Sequence, residues 1–246
     1  MINIEHYNEQ IIHESRSLSR GFTPIIVDMI HAQQTVKPVE SVCEIGVSGG
    51  GKQLMWSTAM DHKFPVVGID YIDPCDSQFE QTEPHHVYEI RTTALDWTSP
   101  YDNITLLLGK SGYITDTVTG ALLHAPDKFD LVFDDGATGW PLMRESLSVW
   151  KRGISPTGCY ISETPDGNGD TIWGIVPLEE HLVNLASVSL NTGMIIFDTL
   201  AFATPDGSMN GHYLGIWAPD MEIYKSVIQK YEQYIVFGRH YIEYLL

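Results

Sequence analysis

The segment of this sequence best suited to binding chemistry is VCEIGVSGGG, residues 42–51. An acidic residue, Glu44, stands near the end of an apolar run, and a glycine-rich stretch follows it. The glycines of this stretch are Gly46, Gly49, Gly50 and Gly51. Glycines let the backbone turn tightly and approach a ligand without a Cβ atom in the way. The pattern predicts a binding turn that leads into a helix near Lys52, although an ordinary strand-to-helix turn also fits it.

A second acidic residue, Asp70, ends the next apolar run, 24 positions after Gly46. An acid at this spacing commonly accepts hydrogen bonds from the ribose hydroxyls of a nucleotide-like ligand. The spacing suits NAD as well as S-adenosylmethionine. A carboxylate at Glu44 would repel a pyrophosphate, whereas it would attract the amino group and sulfonium charge of S-adenosylmethionine. Glu44 therefore favours the methyl donor, whereas the spacing of Asp70 does not separate the two ligands.

The elements that must position these residues follow from an alternation of short apolar runs with helical patterns, which is typical of βαβ units and a mostly parallel sheet. The predicted strands are 41–47, 65–70, 103–108, 129–134, 158–162, 194–203 and 212–218. The predicted helices are 23–34, 52–61, 115–124, 142–151, 176–186 and 220–234. Only 204–211 separates the last two strands, which is too short for a helical crossover, so they should form an antiparallel hairpin.

We therefore expect an α/β fold with a Rossmann-like, seven-stranded sheet, a C-terminal antiparallel hairpin and helices on both faces. The chain is long enough for one domain covering 1–246, in which 1–38 form an N-terminal helical cap. A plain dinucleotide-binding sheet does not end in such a hairpin, whereas the class I methyltransferase sheet does.

Five motifs occur in order between about residue 39 and residue 164. They read CEIGVSGGGK, VVGIDYID, ITLLLGKSG, FDLVFDDGATGW and GISPTGCYISET. With these motifs the chain resembles the class I S-adenosylmethionine-dependent methyltransferases. Within them it is similar to the bacterial branch that includes macrolide-sugar O-methyltransferases and cephalosporin-hydroxylase-like proteins. The resemblance covers the middle of the chain and implies both a fold and a cofactor.

This resemblance implies a set of cofactor contacts. Glu44 and Gly46 would hold the amino-acid end of S-adenosylmethionine, Asp70 would hold the ribose, and Tyr71 would lie beside the adenine. The full expected set is Glu44, Gly46, Ser48, Gly49, Asp70, Tyr71, Gly109, Ser111 and Asp134.

The resemblance also raises the question of a metal. Several relatives bind Mg²⁺ through the acid that corresponds to Asp135 and an acidic pair after the fifth strand, which here is Glu163 followed by Thr164. The sequence departs from that pattern at Thr164 and again at Thr138, where the relatives have a histidine. The expectation is Mg²⁺ held by Asp135 and Glu163, with Asp166 or Asp170 in the following loop as a further oxygen ligand. The alternative is that Asp134 caps the strand end and Asp135 makes local turn hydrogen bonds.

Methyl transfer to a hydroxyl requires a group that accepts the proton. Because the expected histidine is missing, Asp135 is the first candidate for the general base, and His212 at the start of the last predicted strand is the second.

Composition limits the partners. The formal net charge is −18, and such a surface repels phosphate backbones and acidic headgroups, so we expect neither nucleic acid nor membrane as a partner. No apolar run is long enough to span a membrane, and the first residues lack a signal-peptide pattern, so the expected location is the cytoplasm.

The three cysteines have no metal-ligand spacing. The aromatic C-terminal stretch, 231–246, must be buried, either on its own sheet or against a second subunit, and the second case raises the hypothesis of a homo-oligomer.

The resulting expectation is an S-adenosylmethionine-dependent methyltransferase that acts on a hydroxyl, or less favourably an amine, of a small metabolite such as a sugar or natural product. The alternative is a cofactor-binding protein of the same fold whose chemistry is lost or altered, as in hydroxylase-like relatives. A nicotinamide-dependent oxidoreductase is disfavoured by Glu44 and by the closing hairpin.

Overall fold

The computed structural model describes residues 24–47, 50–71, 95–96, 98–136, 140–163, 178–199 and 213–239. Several sequence predictions lie outside this part of the chain. They are the helix at the start of the chain, the turn residues Ser48 and Gly49, the positions Thr138 and Thr164, the further metal-ligand candidates Asp166 and Asp170, the hairpin loop 204–211, and His212.

The described chain alternates strands and helices in the predicted order. The strands are β1 (Val42–Ile45), β2 (Val66–Asp70), β3 (Ile104–Leu108), β4 (Phe129–Asp134), β5 (Ile154–Ser162), β6 (Ile195–Asp198), β7 (Tyr213–Trp217) and β8 (Ile235–Phe237). The helices are α1 (Pro24–Val36), α2 (Gly51–Ala59), α3 (Thr115–Leu122), α4 (Trp140–Trp150), α5 (Leu178–Thr192) and α6 (Lys225–Lys230). None of these described helices is both long and apolar enough to cross a membrane.

The strands form one sheet in the order β3-β2-β1-β4-β5-β7-β6-β8. Strands β1 to β5 are mutually parallel, and β7 runs antiparallel to both β5 and β6. The order reverses between β1 and β4, which places the carboxyl ends of these two strands at a topological switch point. In open α/β sheets, ligands bind in the crevice at such a point.

Two details of the C-terminal part differ from the sequence prediction. The sheet has eight strands instead of seven, because β8 adds to the outer edge of β6 in antiparallel orientation. The helix predicted over 220–234 is wrong as one element, since the segment consists of a 3₁₀ turn (Met221–Tyr224), the short α6 and a second 3₁₀ turn (Glu232–Tyr234). Apolar periodicity alone does not separate a helix from tight turns that bury the same side chains.

Helices cover both faces of the sheet, as predicted. On one face, buried side chains of α1, α2 and α6 pack against alternate residues of the strands, including Val42, Phe133 and Ile161. On the other face, α3, α4 and α5 cover the intervening residues, including Cys43 and Val132. Successive side chains of a strand point to opposite faces, and this alternation decides which way each site residue points.

At the edge of the sheet opposite the crevice, the buried carboxylate of Asp130 joins three segments. It accepts hydrogen bonds from Lys37 Nζ at 3.0 Å, from the backbone N–H of Glu40 at 2.9 Å and from Ser155 Oγ at 2.9 Å. Gln33 of α1 donates to the Asp130 carbonyl at 3.0 Å. These bonds fix α1 and the start of β1 against β4, and so set the position of the strand that leads to the candidate site.

Candidate functional site

Three site residues lie in one row because neighbouring strands end at the same level. Ile45 of β1 is paired with Asp134 of β4, and Asp134 is paired with Ser162 of β5. The next residue of each strand, Gly46, Asp135 and Glu163, therefore stands at the carboxyl edge. Backbone bonds continue the ladder past the strand ends, with Asp135 N–H donating to Ile45 at 2.9 Å and Glu163 N–H to Asp134 at 3.0 Å.

Gly46 is a glycine by necessity, since its φ is +96° and L side chains rarely adopt that conformation. A Cβ at this position would lie 3.0 Å from the backbone carbon and oxygen of Asp135. Gly50, with φ of +80°, then precedes the first turn of α2. The strand before the predicted turn and the helix after it are both confirmed, as β1 and α2. At Gly46 the turn lies close to the backbone of Asp135.

The adjacent acids Asp134 and Asp135 point to opposite faces. Asp134 is fully buried and accepts hydrogen bonds from Tyr160 Oη, from Ser146 Oγ at 2.7 Å and from Gly136 N–H at 3.1 Å. Asp135 instead points toward α2, and its side chain is 37% exposed. The role of Asp134 as a cofactor contact stays a prediction, and the contacts shown here hold β4, β5 and α4 together. Burial is the main cause that raises the pKa of Tyr160, so its hydroxyl remains a donor to Asp134.

Lys52 connects the two acids that the sequence analysis assigned to a metal. Its Nζ lies 2.8 Å from Asp135 Oδ2 and 2.8 Å from Glu163 Oε2, and 4.5 Å from the centre of the Phe133 ring. Its side chain is only 8% exposed. Burial favours the neutral amine, but the charges of Asp135, Glu163 and Glu44 outweigh it, so the pKa of Lys52 is raised. The structure thus brings Asp135 and Glu163 together around an ammonium group, and their role as metal ligands stays a prediction.

Glu44 lies behind the glycine turn and is 1% exposed. One of its carboxylate oxygens accepts a hydrogen bond from Gln53 Nε2 of α2 at 2.9 Å. Burial raises the pKa of Glu44, Lys52 opposes this rise, and Asp135 and Glu163 add to it. The buried Gln53 Oε1 has no hydrogen-bond partner among the described residues. The result is a pair of buried acceptors close to the turn.

Asp70 occupies the predicted place at the end of β2. It is buried, and its Oδ2 accepts the backbone N–H of Val47 at 3.0 Å, which joins the turn after β1 to β2. Tyr71 follows with 74% of its surface exposed. An exposed aromatic ring next to a buried carboxylate is compatible with the predicted ribose and adenine contacts, which stay predictions.

The loop after β3 forms the neighbouring wall of the crevice. Gly109 begins it with a φ of +65°, and Ser111 Oγ accepts the N–H of Tyr113 at 3.3 Å. Trp150 Nε1 donates to the Gly112 carbonyl at 2.8 Å, and a Cβ at Gly112 would lie 2.5 Å from Ile45. These contacts hold the loop against β1, next to the predicted cofactor residues.

The sequence analysis missed two residues of this region, Lys52 and Tyr113. Lys52 is the first charged residue after the glycine turn, so its position at the start of α2 was a usable signal. The phenol of Tyr113 has a raised pKa because of burial and of the nearby charges of Asp134, Asp70 and Asp135, and this places it among the site's acids. Its only sequence signal was its place just after the third motif.

The strand order, the antiparallel β7 and the helices on both faces are those of the Rossmann-like class I methyltransferase fold. The sequence matches no known family profile and no curated protein. Among solved structures, an O-methyltransferase from Bacillus cereus in complex with S-adenosylhomocysteine superposes with a TM-score of 0.50, at 12% identity, over 86% of this chain and 90% of that one. This likeness concerns the fold.

Two further solved structures have the same kind of similarity at lower scores. Fibrillarin from Aeropyrum pernix, with natively bound S-adenosylmethionine, matches with a TM-score of 0.49 and 11% identity over 78% of this chain and 73% of its own. The methyltransferase MycE from the mycinamycin biosynthetic pathway, in complex with Mg and S-adenosylhomocysteine, matches with a TM-score of 0.43 and 21% identity. That match covers 65% of this chain and 36% of MycE.

Proposed function

We propose that this protein is an S-adenosylmethionine-dependent methyltransferase that acts on a hydroxyl group of a small metabolite. The observation that carries the proposal is the cluster of carboxylates at the carboxyl edge of β1, β2, β4 and β5. Glu44 and Asp70 are buried there, next to a backbone turn that contains Gly46 in a left-handed conformation.

The electrostatics of this cluster favour a cationic ligand over a diphosphate. Charges in a low-dielectric interior act more strongly than charges in water, so two buried acids would oppose a pyrophosphate. Lys52, a buried cation whose charge acts on Glu44, is already paired with Asp135 and Glu163. A ligand that carries an ammonium and a sulfonium charge would be stabilised at the same place, and this supports S-adenosylmethionine over NAD.

The residues present fit this cofactor. Glu44 and the buried Gln53 Oε1 offer acceptors for an amino group. Asp70 offers a carboxylate for the ribose hydroxyls, and Tyr71 an exposed ring for the adenine. The loop from Gly109 to Ser111 would close the side of the pocket. When bound, S-adenosylmethionine supplies an electrophilic methyl group.

Asp135 is the group best placed to take the proton of the acceptor. Its side chain is 37% exposed, so a hydroxyl at the crevice can reach it, and its Oδ2 is fixed by Lys52. Asp135 would accept the hydroxyl proton of the acceptor, while bound S-adenosylmethionine would supply the methyl group to the acceptor oxygen and leave as S-adenosylhomocysteine. Holding the two reactants in line at this edge supplies the rest of the rate acceleration.

The charge of the crevice also restricts the acceptor. An anionic acceptor, such as a phosphate ester, would meet the same carboxylates that disfavour a diphosphate. A neutral polyhydroxylated molecule, such as a sugar or a natural product, would meet no such barrier. This supports the narrower substrate class predicted from the sequence.

The proposal is tested by turnover of radiolabelled methyl donor against a panel of neutral hydroxylated acceptors. Asp135→Asn is expected to reduce kcat by about 10²- to 10⁴-fold, on the scale of lost general-base catalysis. It should leave S-adenosylhomocysteine affinity close to that of the wild type, because the substitution is isosteric. Asp102→Asn, at an exposed position before β3, is the matched control and should retain full activity.

Two outcomes would contradict this proposal. Full activity of Asp135→Asn would remove Asp135 from its role as base. Tight binding of S-adenosylhomocysteine without turnover on any acceptor would favour the alternative function, a cofactor-binding protein with altered chemistry.

A further inference from the structure

The position of Lys52 bears on the cation that this site uses. Its ammonium makes two contacts of 2.8 Å, one to Asp135 and one to Glu163. These are the two carboxylates that the sequence analysis assigned to Mg²⁺. Because both are charge-assisted hydrogen bonds of short length, they are of the stronger kind found in proteins.

A divalent ion bound by the same two acids would compete directly with this ammonium. Mg²⁺ requires oxygen ligands at about 2.0–2.1 Å in near-octahedral geometry, so it would have to take Asp135 Oδ2 and Glu163 Oε2 from Lys52. The Lys52 ammonium also lies 4.5 Å from the centre of the Phe133 ring, which offers no ligand oxygen. Within the described ranges, no group of three or more His, Cys, Asp or Glu side chains is arranged to hold a metal.

Displacing Lys52 would also be unfavourable in itself. Its side chain is 8% exposed, and a buried ammonium that loses its partner charges carries the full cost of desolvation. The donor set therefore does not fit Mg²⁺ as long as Lys52 is present, which revises the metal expectation drawn from the resemblance.

We propose that Lys52 is the resident cation of this site, that its ammonium fills the place between Asp135 and Glu163 where a divalent ion would bind, and that methyl transfer consequently needs no divalent ion. In this role Lys52 is a positioning residue, since it holds Asp135 at the edge where the acceptor arrives. The statement about methyl transfer rests on the proposed function, whereas the exclusion of the ion by Lys52 does not.

The test is a gain of metal binding when the ammonium is removed. Asp135→Asn lacks one of the two acids, so any change in its Tm on addition of millimolar Mg²⁺ reports binding elsewhere on the protein. The Tm of the wild type is expected to change by no more than this reference value. Lys52→Ala leaves two carboxylates facing a space, so its Tm is expected to be lower without Mg²⁺ and to rise when Mg²⁺ is added. Lys52→Arg, which keeps the charge, should show no such rise.

The matched control is Lys37→Ala, which removes a lysine that pairs with the buried carboxylate of Asp130. Among the residues that the structure describes, Lys37 pairs with one acid, Asp130, at 3.0 Å. Its replacement should lower the Tm without creating a response to Mg²⁺. In the double variant Lys52→Ala/Asp135→Asn, the rise in Tm on addition of Mg²⁺ should be absent. A rise caused only by general destabilisation of the fold would persist in the double variant.

A second measurement applies to the wild type alone, should Lys52→Ala fail to fold. Bound Mn²⁺ is measured by electron paramagnetic resonance in the wild type and in Asp135→Asn. We expect the same amount of bound Mn²⁺ in both, because Asp135 holds no ion in the wild type. Such an ion in the wild type, or a folded Lys52→Ala variant that ignores Mg²⁺, would overturn the proposal. Neither measurement requires a methyl donor, so failure here is distinguishable from failure of the proposed methyltransferase activity.

Discussion

At the scale of single residues, the candidate site depends on buried charges. Glu44 lies behind the glycine turn, and Lys52 lies between two carboxylates that approach from neighbouring strands. Burying a charge costs free energy unless a partner or a ligand compensates for it. Glu44 has Gln53 as its hydrogen-bond partner and Lys52 as a nearby opposite charge. The Glu44 carboxylate can therefore bind a cationic ligand, but its burial lowers the stability of the folded protein when no ligand is present.

Glu44→Gln tests this cost through its dependence on pH. Burial raises the pKa of Glu44 above its ordinary value of 4.5, so the folded chain binds this proton more tightly than the unfolded chain does. The wild type therefore loses stability as the pH rises from about 4.5 through the folded-state pKa. Glutamine does not titrate. The free energy of unfolding of Glu44→Gln, measured with urea, should thus increase relative to the wild type as the pH rises toward 7.

The control for this series is Glu145→Gln, at an exposed position of α4, which corrects for general effects of pH. A stability difference between Glu44→Gln and the wild type that stays constant or shrinks toward neutral pH would mean that Glu44 is not penalised by burial.

Single residues also show how far sequence reasoning reaches. Asp134 and Asp135 are adjacent and equally acidic, and the sequence analysis placed both at the site. The alternation of side chains along β4 sends Asp134 toward Ser146 and Tyr160 and Asp135 toward Lys52. The strand period was available from the sequence. The partners were not, because they come from elements distant in the chain.

At the scale of elements, the site exists because three parallel strands end level with each other. The close approach between the turn after β1 and the turn after β4 depends on Gly46, whose missing side chain leaves room for the backbone of Asp135. The strand positions and the parallel order were predictable from apolar runs and connection lengths. The register that puts Gly46, Asp135 and Glu163 in one row was not, because it is set by tertiary packing.

Gly46→Ala is expected to lower the free energy of unfolding by about 1–3 kcal/mol, the cost of a non-glycine residue in a left-handed conformation. It should also weaken S-adenosylhomocysteine binding, since the new Cβ would stand 3.0 Å from the Asp135 backbone. Gly120→Ala is the matched control. A Cβ at Gly120, in α3, meets nothing within 4 Å, so alanine there should leave the protein as stable or stabilise it by up to about 1 kcal/mol.

Urea unfolding and calorimetric titration measure both effects of the glycine substitutions. Equal stability of Gly46→Ala and Gly120→Ala would contradict the close approach at Gly46.

Strand β8 was not predicted from the sequence. Its three residues, Ile235–Phe237, were part of an aromatic stretch that the sequence analysis assigned only to a buried end. A strand this short carries too few residues for an alternating pattern. Gly238, with a φ of +92°, lies directly after it, and a Cβ there would come within 2.9 Å of the Met194 carbonyl. Only the packed structure shows this contact.

At the scale of the whole molecule, the site and the overall charge point the same way. The chain carries 32 acidic against 14 basic residues, a formal net charge of −18. Such a field disfavours polyanionic partners and attracts cations. The acids of the crevice add a local, buried contribution at the carboxyl edge of the sheet. A cationic methyl donor with an uncharged acceptor is consistent with both the net charge of the chain and the acids of the crevice. A diphosphate nucleotide is consistent with neither.

The central claim is that this crevice selects S-adenosylmethionine, and calorimetric titration of the whole protein tests it most directly. We expect S-adenosylmethionine and S-adenosylhomocysteine each to bind one site per chain, and NAD to give no binding heat. Asp70→Asn should weaken the binding of both by about 1.5–3 kcal/mol, the value of hydrogen bonds to a charged group. Binding of NAD at this site, or no binding of either adenosyl ligand to the folded protein, would contradict the account.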